Sequence, residues 1–248
     1  MKPVLVLDNV GVVYNSAAHR KEALRGLSLE VFAGEIFGFL GPNGAGKTTA
    51  IKAILNLLYP TQGAILLFGL PNDRVISRRK LGYMPELATY YWYLTPRELL
   101  NMYAGFFGLQ KKDRVKKIDA VLERVGLAAE ADSLMKFFSK GMMQKVSLAQ
   151  ALINDPDILL LDEPTSGLDP IARLNVRDII KEVKTRGKTV FFSSHELSEV
   201  ELICDRVGIL HEGRLIKSDT MATILNEKGQ QRSLETYFTD LIMKSKAT

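Results

Sequence analysis

The sequence predicts an α/β fold: a parallel-sheet core with an N-terminal antiparallel β subdomain and an inserted helical subdomain. Three observations predict it. Two β-rich segments open the chain, residues 88–156 are almost all helical in pattern, and short apolar strands then alternate with helices. Such alternation is typical of a parallel sheet covered by helices. We expect one domain over residues 1–220, with the helical insertion at about 88–156, and a C-terminal helical tail over 221–248.

The opening segments "VLVLDNVGVVY" (4–14) and "LSLEVFAGEIFGFL" (27–40) are rich in residues that favour strands. The second segment ends at Gly41, and the helix expected after it has one apolar face. That face comprises Ile51, Ile54, Leu55 and Leu58. A turn at "TQG" (61–63) then leads into the strand "AILLFG" (64–69). We therefore expect strand, loop and helix in immediate succession around Gly41.

The helical insertion carries its own start signal. In "TPRE" (95–98), Thr95 as the cap, Pro96 at the first helical position and Glu98 at the third form a capping box. Further on, "KKDRVKK" (111–117) belongs to a helix whose apolar residues recur at helical spacing. These are Val115, Ile118, Leu122 and Val125. We therefore expect the lysines to form a solvated helix face and not a basic binding patch.

Composition excludes few function classes. The 248 residues carry a net charge of +5, with a pI near 9.2, but the basic residues are scattered. The single cysteine, Cys204, cannot form an internal disulfide and lies on an apolar helical stripe, so we expect a buried thiol in a reducing compartment. No apolar run approaches the ~18 residues of a membrane span, and the start has no signal-peptide layout. We expect a soluble, cytoplasmic chain.

"GPNGAGKTT" (41–49) matches the phosphate-loop pattern G-x-x-x-x-G-K-[ST] between a strand and a helix, the context that the motif needs. Its backbone N–H groups and the helix N-terminus would hold the β-phosphate. Lys47 would reach the β- and γ-phosphates, and the Thr48 hydroxyl would bind Mg²⁺. The alternative is a glycine turn before an ordinary helix. The predicted nucleotide-binding residues are Gly41, Pro42, Asn43, Gly44, Ala45, Gly46, Lys47, Thr48 and Thr49.

"ILLLDEP" (158–164) supplies an acidic partner for a P-loop NTPase core. Its aliphatic run fits a strand buried on both faces. Asp162 would join the Mg²⁺ shell, and Glu163 would polarise the attacking water as general base. Alternatively, the two carboxylates are polar caps of a strand. His195 directly follows the strand "TVFFSS" (189–194), where it would contact a γ-phosphate at the carboxyl edge of a parallel sheet.

"FFSKGMMQKVSLAQAL" (137–152) raises the possibility of a second anion site. We expect its helix to begin at Gly141, with Ser139 and Lys140 just ahead of it. Unpaired N–H groups at a helix start attract anions. Ser139 acting as an ordinary helix cap is an alternative reading that is compatible with the first.

Together these residues resemble the ATP-binding subunits of ABC transporters, over nearly the whole chain. The family's motifs occur in order: Tyr14, "GPNGAGKT" (41–48), "YMPE" (83–86), "FSKGM" (138–142), "LLLDEP" (159–164), "SGLD" (166–169) and His195. The resemblance implies that Tyr14 stacks on adenine and that Glu86 contacts Mg²⁺ or water. It also implies that the signature residues Ser139, Lys140, Gly141 and Met142 bind the ATP held by an opposite chain, with Ser139 and the Gly141 N–H on its γ-phosphate. Asp169, which is also expected to bind nucleotide, belongs to the loop that links the two active sites.

The chain departs from the family pattern at three positions. Lys140 replaces the first signature glycine, Met142 replaces the glutamine, and Glu86 stands where glutamine is commonest. This variant, together with "LETYF" (234–238), looks like bacterial exporters of the drug, antibiotic, ion or lipid type.

The resemblance implies an ATPase that uses ATP and Mg²⁺, with Lys47, Glu163 and His195 as catalytic residues. Two copies would close head to tail around ATP and drive export through separate membrane permease subunits, on the cytoplasmic face of the membrane. No nucleic acid is expected. The aromatic stretch "ATYYWYLTP" (88–96) is either a docking surface for those subunits or ordinary packing.

Two other classes fit less well. A soluble ABC-type ATPase acting on ribosomes or DNA usually has tandem ATPase halves or long coiled-coil insertions, and the sequence has neither. A P-loop GTPase or small-molecule kinase leaves "FSKGM" unexplained, and the N-K-x-D base-reading motif of GTPases does not occur.

Overall fold

The chain folds as two units in the computed structural model, which describes residues 2–15, 20–226 and 232–246. The first unit combines Met1–Arg78 with Thr189–Thr248, and the second is Arg79–Lys188. The described strands are β1 Pro3–Asn15, β2 Arg20–Phe32, β3 Ile36–Leu40, β4 Gln62–Leu67, β5 Leu70–Pro71, β6 Leu81–Met84, β7 Ile158–Asp162, β8 Thr189–Ser194, β9 Arg206–His211 and β10 Arg214–Thr220. The described helices are α1 Lys47–Ile54, α2 Val75–Arg78, α3 Pro96–Phe106, α4 Lys111–Arg124, α5 Lys140–Leu152, α6 Pro170–Thr185, α7 Leu197–Ile203, α8 Met221–Leu225 and α9 Leu234–Lys246, with a 3₁₀ turn at Met135–Phe137.

The first unit contains an antiparallel sheet in the order β2-β1-β4-β5. β1 pairs antiparallel with both β2 and β4, and its buried residues Leu5 and Leu7 alternate with more exposed ones, as expected for a strand with one buried face. The predicted segment 27–40 is divided between β2 and β3 by a tight turn in which Gly34 has φ 77°.

The same unit contains parallel strands in the order β9-β3-β8, with β10 antiparallel on β9. Every residue of β3 and β8 is buried, and the Phe191 ring centroid lies 5.7 Å from that of Phe37 and 5.3 Å from that of Phe39. Leu40 pairs with Ser194 at the carboxyl ends of these strands. The residues that follow them, Gly41 and His195, therefore emerge at one sheet edge.

β3 also packs closely against α7. A Cβ atom built on Gly38 would lie 2.8 Å from both Cys204 Sγ and Val200 Cγ1, closer than carbon and sulfur atoms can approach. Cys204 is buried, as the sequence predicts.

In the second unit, β6 pairs parallel with β7, with Met84 opposite Leu161. β7 is buried throughout, as its aliphatic run predicts. The predicted capping box is confirmed at the start of α3. Glu98 N–H donates to Thr95 Oγ1 at 3.2 Å, and Thr95 N–H donates to Glu98 Oε2 at 2.9 Å.

Three local predictions need correction. α1 ends at Ile54, before Leu58, and Asn56 has a left-handed φ of 57°. α5 begins at Lys140 because Ser139 takes the cap position ahead of it. In α4, Ile118 and Leu122 are buried as predicted, but Val115 is 60% exposed and lies outside the covered face.

The predicted boundaries at 1–220, 88–156 and 221–248 stay predictions. Helices α3, α4 and α5 fall inside 88–156, and α8 and α9 inside 221–248. Residues 227–231, 247 and 248 of the predicted tail lie outside the described residues.

Candidate active site

The phosphate loop links β3 to α1. Lys47, the first residue of α1, is only 7% exposed, and its ammonium donates to Gly41 O at 2.6 Å and to Pro42 O at 3.4 Å. The N-cap is Gly46, at φ 111°, which offers the helix start no side-chain acceptor. The first amides of α1 and the buried ammonium therefore form an electropositive end that suits an anion.

Neighbouring strands hold this loop tightly. A Cβ atom on Gly41 would lie 2.5 Å from Leu210 O in β9, and one on Gly46 would lie 2.6 Å from Ala23 O in β2. Glycine is required at both positions because a larger residue would displace backbone atoms. The loop conformation is thus fixed by the unit that carries it.

Tyr14 and His195 also belong to the first unit. Tyr14, near the end of β1, is exposed, and its hydroxyl lies 3.4 Å from Thr49 Oγ1. The ring is therefore available for stacking beside the loop. His195 is exposed directly after β8.

In the second unit, Asp162 ends β7 and Glu163 follows it, and both are buried. Glu163 has φ 51°, a left-handed conformation that is uncommon for a residue with a side chain and that clusters at functional sites. Burial and the nearby Asp162 carboxylate raise the pKa of Tyr83 to about 12, so its phenol stays neutral.

The loop after Glu163 is tied to α5. The buried Gln144 donates from Nε2 to Pro164 O at 3.1 Å. Gln144, which lies two positions after "FSKGM", is not among the predicted site residues. Its helix face also carries Lys140 and Ser147, so no apolar pattern in the sequence indicates that this glutamine is buried.

The start of α5 is more open than the start of α1. Ser139 caps it by accepting from Met142 N–H at 3.2 Å, and Ser139 and Lys140 are both exposed. Gly141 and Met142 are half-buried. The capping reading of Ser139 is therefore correct, and it leaves the exposed face of the helix start accessible.

The "SGLD" loop packs beside this helix start. The Lys140 ammonium lies where a side chain on Gly167 would be, and Leu168 Cδ2 lies 3.8 Å from the position of a Cβ on Gly141. Asp169 caps α6, accepting from Ala172 N–H at 2.9 Å. One surface of the second unit thus joins the residues that the sequence predicts to act on an opposite ATP.

Glu86 is exposed and shares a cleft of about 70 Å³ with Lys140. Two of the three departures from the family pattern therefore face one space, and their charges are opposite. The predicted Mg²⁺ donors, Thr48, Glu86 and Asp162, are all oxygen ligands, which is the chemistry that a hard cation such as Mg²⁺ prefers. Within the described residues, no group of three or more His, Cys, Asp and Glu side chains is arranged to hold a metal.

Comparison with known proteins decides the family. The ABC transporter family model matches residues 24–166. The chain belongs to the ABC transporter family.

Two ABC transporter ATP-binding proteins illustrate the relationship. An uncharacterized one from Nostoc sp. is 48% identical over 209 residues, covering 83% of this chain and 62% of that protein. The bacitracin transport ATP-binding protein BcrA of Bacillus licheniformis is 47% identical over 195 residues, covering 77% of this chain and 62% of that protein. The chain thus spans less than two thirds of the length of these curated relatives.

Solved ABC structures share the fold. An ATP-binding subunit of an ABC transporter has a TM-score of 0.87 and 31% identity, covering 96% of this chain and 99% of that one. The ATP-binding cassette MJ0796, dimeric in a post-hydrolysis state with ADP and Pi, has a TM-score of 0.79 and 26% identity, covering 88% and 98%. Both the family resemblance and the predicted fold class are confirmed. Among the described helices of this ABC protein, none is long and apolar enough to cross a membrane.

Proposed function

We propose that this chain binds and hydrolyses ATP as the ATPase component of an exporter whose membrane-spanning subunits are separate chains. The observation that carries the proposal is the phosphate loop. A buried lysine, an uncapped helix start and glycines fixed by backbone contacts create an anion site within one unit. The solved relative with ADP and Pi supports ATP as the nucleotide.

Each site residue has a role in this proposal. Residues 41–49 hold the phosphates, and Tyr14 stacks on adenine. Lys47 stabilises the charge that develops on the γ-phosphoryl group, Glu163 accepts a proton from the attacking water, and His195 contacts the γ-phosphate. Mg²⁺, held by Thr48, Asp162 and Glu86, would neutralise charge on the β- and γ-phosphates.

A second copy would complete the reaction centre. The exposed start of α5, with Ser139, Lys140, Gly141 and Met142, would bind the γ-phosphate of ATP held by an opposing chain, with Asp169 in the adjoining loop. A cation at this helix start favours such a contact. The dimeric MJ0796 cassette supports pairing of two copies, and in this proposal the two copies pair head to tail.

An exposed aromatic patch is available for the membrane subunits. Tyr91, Trp92 and Tyr93 are exposed, and so is Phe137, whose neighbour Lys136 donates its N–H to Trp92 O at 2.9 Å. Exposed aromatic clusters are common interface anchors. The bacitracin transport relative supports a drug or antibiotic as the transported substrate. In this proposal the chain exports it from the cytoplasmic face of the membrane and does not bind nucleic acid.

The substitution Glu163→Gln tests the proposal. Without the general base, hydrolysis stops and the ATP-bound dimer persists, so light scattering should detect a dimer with Mg-ATP and a monomer without nucleotide. Glu235→Gln, on the exposed first turn of α9, is the matched control and should behave as wild type. Normal hydrolysis by Glu163→Gln without any dimer would refute both the base and the paired site.

A further inference from the structure

The turn between β9 and β10 touches the phosphate loop directly. Gly213 N–H donates to Ala45 O at 2.9 Å, and Gly213 O accepts from Arg25 N–H at 2.8 Å. Glu212 and Gly213 have φ values of 46° and 79°, the consecutive left-handed pair of a tight hairpin turn. A Cβ atom on Gly213 would lie 2.7 Å from Ala23 O. The turn is therefore seated against both the phosphate loop and β2.

This contact orients an amide of the predicted phosphate cradle. In a trans peptide the C=O and the N–H point in opposite directions. Because the Ala45 carbonyl points at Gly213, the Gly46 N–H of the same peptide points away from the turn. The hydrogen bond also polarises that peptide and strengthens its N–H as a donor.

The C-terminal helix α9 contacts His211, the residue that directly precedes the same turn. His211, the last residue of β9, is 8% exposed, and its Nδ1 lies 2.9 Å from Ser245 Oγ. Ser245 donates its hydroxyl proton to Ile242 O at 2.8 Å. A hydroxyl has one proton to give, so while Ser245 donates to Ile242 O its oxygen can accept from His211 Nδ1–H.

α9 is anchored at its first turn as well. Leu234 is fully buried, and its N–H donates to Glu201 Oε2 in α7 at 2.9 Å; Tyr237 is buried one turn later. With both ends of the helix fixed, Ser245 presents its oxygen to His211 at a defined position.

We infer that α9 sets the geometry of the phosphate loop through a relay of contacts from Ser245 to His211, through the turn to Gly213, and on to Ala45. Ser245 and His211 are positioning residues for nucleotide phosphates. The inference rests on the proposed function, which assigns ATP to this loop. It adds that the affinity for nucleotide depends on a helix that touches none of the nucleotide.

Nucleotide titration of the full chain tests the relay. Ser245→Ala removes the hydroxyl that pairs with His211 Nδ1 and should weaken the binding of Mg-ATP and Mg-ADP alike by about three- to tenfold, since the β-phosphate is common to both. Ser245→Thr keeps the hydroxyl and should bind as wild type. Ser233→Ala is the matched control because Ser233 accepts from Thr236 N–H at 3.2 Å at the opposite end of the same helix.

Two further readouts separate positioning from stability. With Ser245→Ala, KM for ATP should rise while kcat at saturating ATP stays near wild type, and hydrogen exchange of the Gly213 amide should become faster. Equal effects of Ser245→Ala and Ser233→Ala would overturn the relay, and so would unchanged nucleotide affinity and unchanged Gly213 amide exchange in Ser245→Ala. In either case, nucleotide binding by the wild-type chain would leave the proposed function standing. A wild-type chain that bound neither nucleotide would overturn both.

Discussion

The phosphate loop and the start of α5 are both helix N-termini with a lysine, yet they are built differently. At α1 the cap is a glycine, and Lys47 is buried and bound to carbonyls of its own loop. At α5, Ser139 occupies the cap and Lys140 is exposed. The first site is enclosed by the unit that carries it. The second is an open surface that can hold a phosphate strongly only when another surface covers it.

The largest effect, on ATP hydrolysis, should come from Lys47→Ala, which removes the buried ammonium of the phosphate loop. We expect ATP hydrolysis to fall about 10²–10³-fold, the usual loss when a positioned group that stabilises developing charge is deleted. Phosphate release under saturating Mg-ATP measures it. Lys52→Ala, at an exposed position of the same helix, is the control and should retain activity. Equal ATP hydrolysis by the two variants would show that the buried ammonium of Lys47 matters no more than an exposed lysine on the same helix.

Gln144→Leu should have the next largest effect, on stability. The substitution leaves the carbonyl of Pro164 without its side-chain donor, which costs about 1–3 kcal/mol when the acceptor is buried. Urea unfolding measures the loss. Gln150→Leu provides a control on the same helix, because Gln150 accepts from the Tyr90 hydroxyl at a longer distance of 3.4 Å. A loss no greater than that of the control would show that Gln144 does not support the acidic loop.

Ser139→Ala should distinguish the roles of the two helix starts, because it alters the start of α5 and leaves the start of α1 unchanged. Loss of the cap costs about 1 kcal/mol of stability, and we expect ATP-dependent dimerisation to weaken about tenfold while the affinity of one copy for ATP is retained. Thr220→Ala removes a comparable cap from α8, where Thr220 accepts from Thr223 N–H at 3.1 Å. If both variants dimerise alike, the α5 surface has no part in the paired site.

The smallest effect should come from Asp157→Asn, which lowers the free energy of unfolding by removing a solvent-exposed ion pair. It contrasts with the loss of the buried Lys47. Asp157 lies 2.9 Å from Lys188 Nζ and 3.0 Å from Lys80 Nζ, and the hydrogen bond from Lys188 holds the pKa of Asp157 below its usual value. An unfolded Asp titrates near pH ~3.9, so the stabilisation is present above that pH and is lost as pH falls through the lower folded-state pKa.

Because Asp157 is 38% exposed, solvent screens the pair, and we expect a loss of roughly 0.5–1 kcal/mol at pH 7. Urea unfolding of wild type and Asp157→Asn across pH 2–7 should show curves that converge at the acid end. A constant difference at every pH would mean that packing, not charge, accounts for the effect.

The sequence predicted the elements that burial alone determines. β3 and β7 are largely aliphatic or aromatic, and β8 has such a run at residues 190–192, as expected for strands inside a covered sheet. The phosphate loop is defined by short-range glycine and lysine spacing. The prediction that Val115 belongs to the buried face of α4 was wrong. Helical spacing shows which residues share a face, but it does not show how much of that face other elements pack against. β6 was missed because Gly82 and Tyr83 interrupt its apolar pattern.

Contacts between distant segments could not be read from the sequence. The hydrogen bond from Gly213 to Ala45 joins two backbone groups. Every residue type has a backbone C=O and all but proline have an N–H, so side-chain identity does not reveal the contact. The approach of the Lys140 side chain to Gly167 depends on where the start of α5 meets the "SGLD" loop. Such features follow from packing, and no local pattern indicates them.

The close approach of α7 to Gly38 has a practical consequence. The single thiol of the sequence, that of Cys204, is buried where α7 packs on β3. The packing is so close that a methyl group added at Gly38 would clash with the sulfur. An alkylating reagent can therefore reach sulfur only after that helix lifts from the strand. The rate of labelling at Cys204 then reports how often α7 opens locally from β3, and it can be measured in the native chain without an engineered probe.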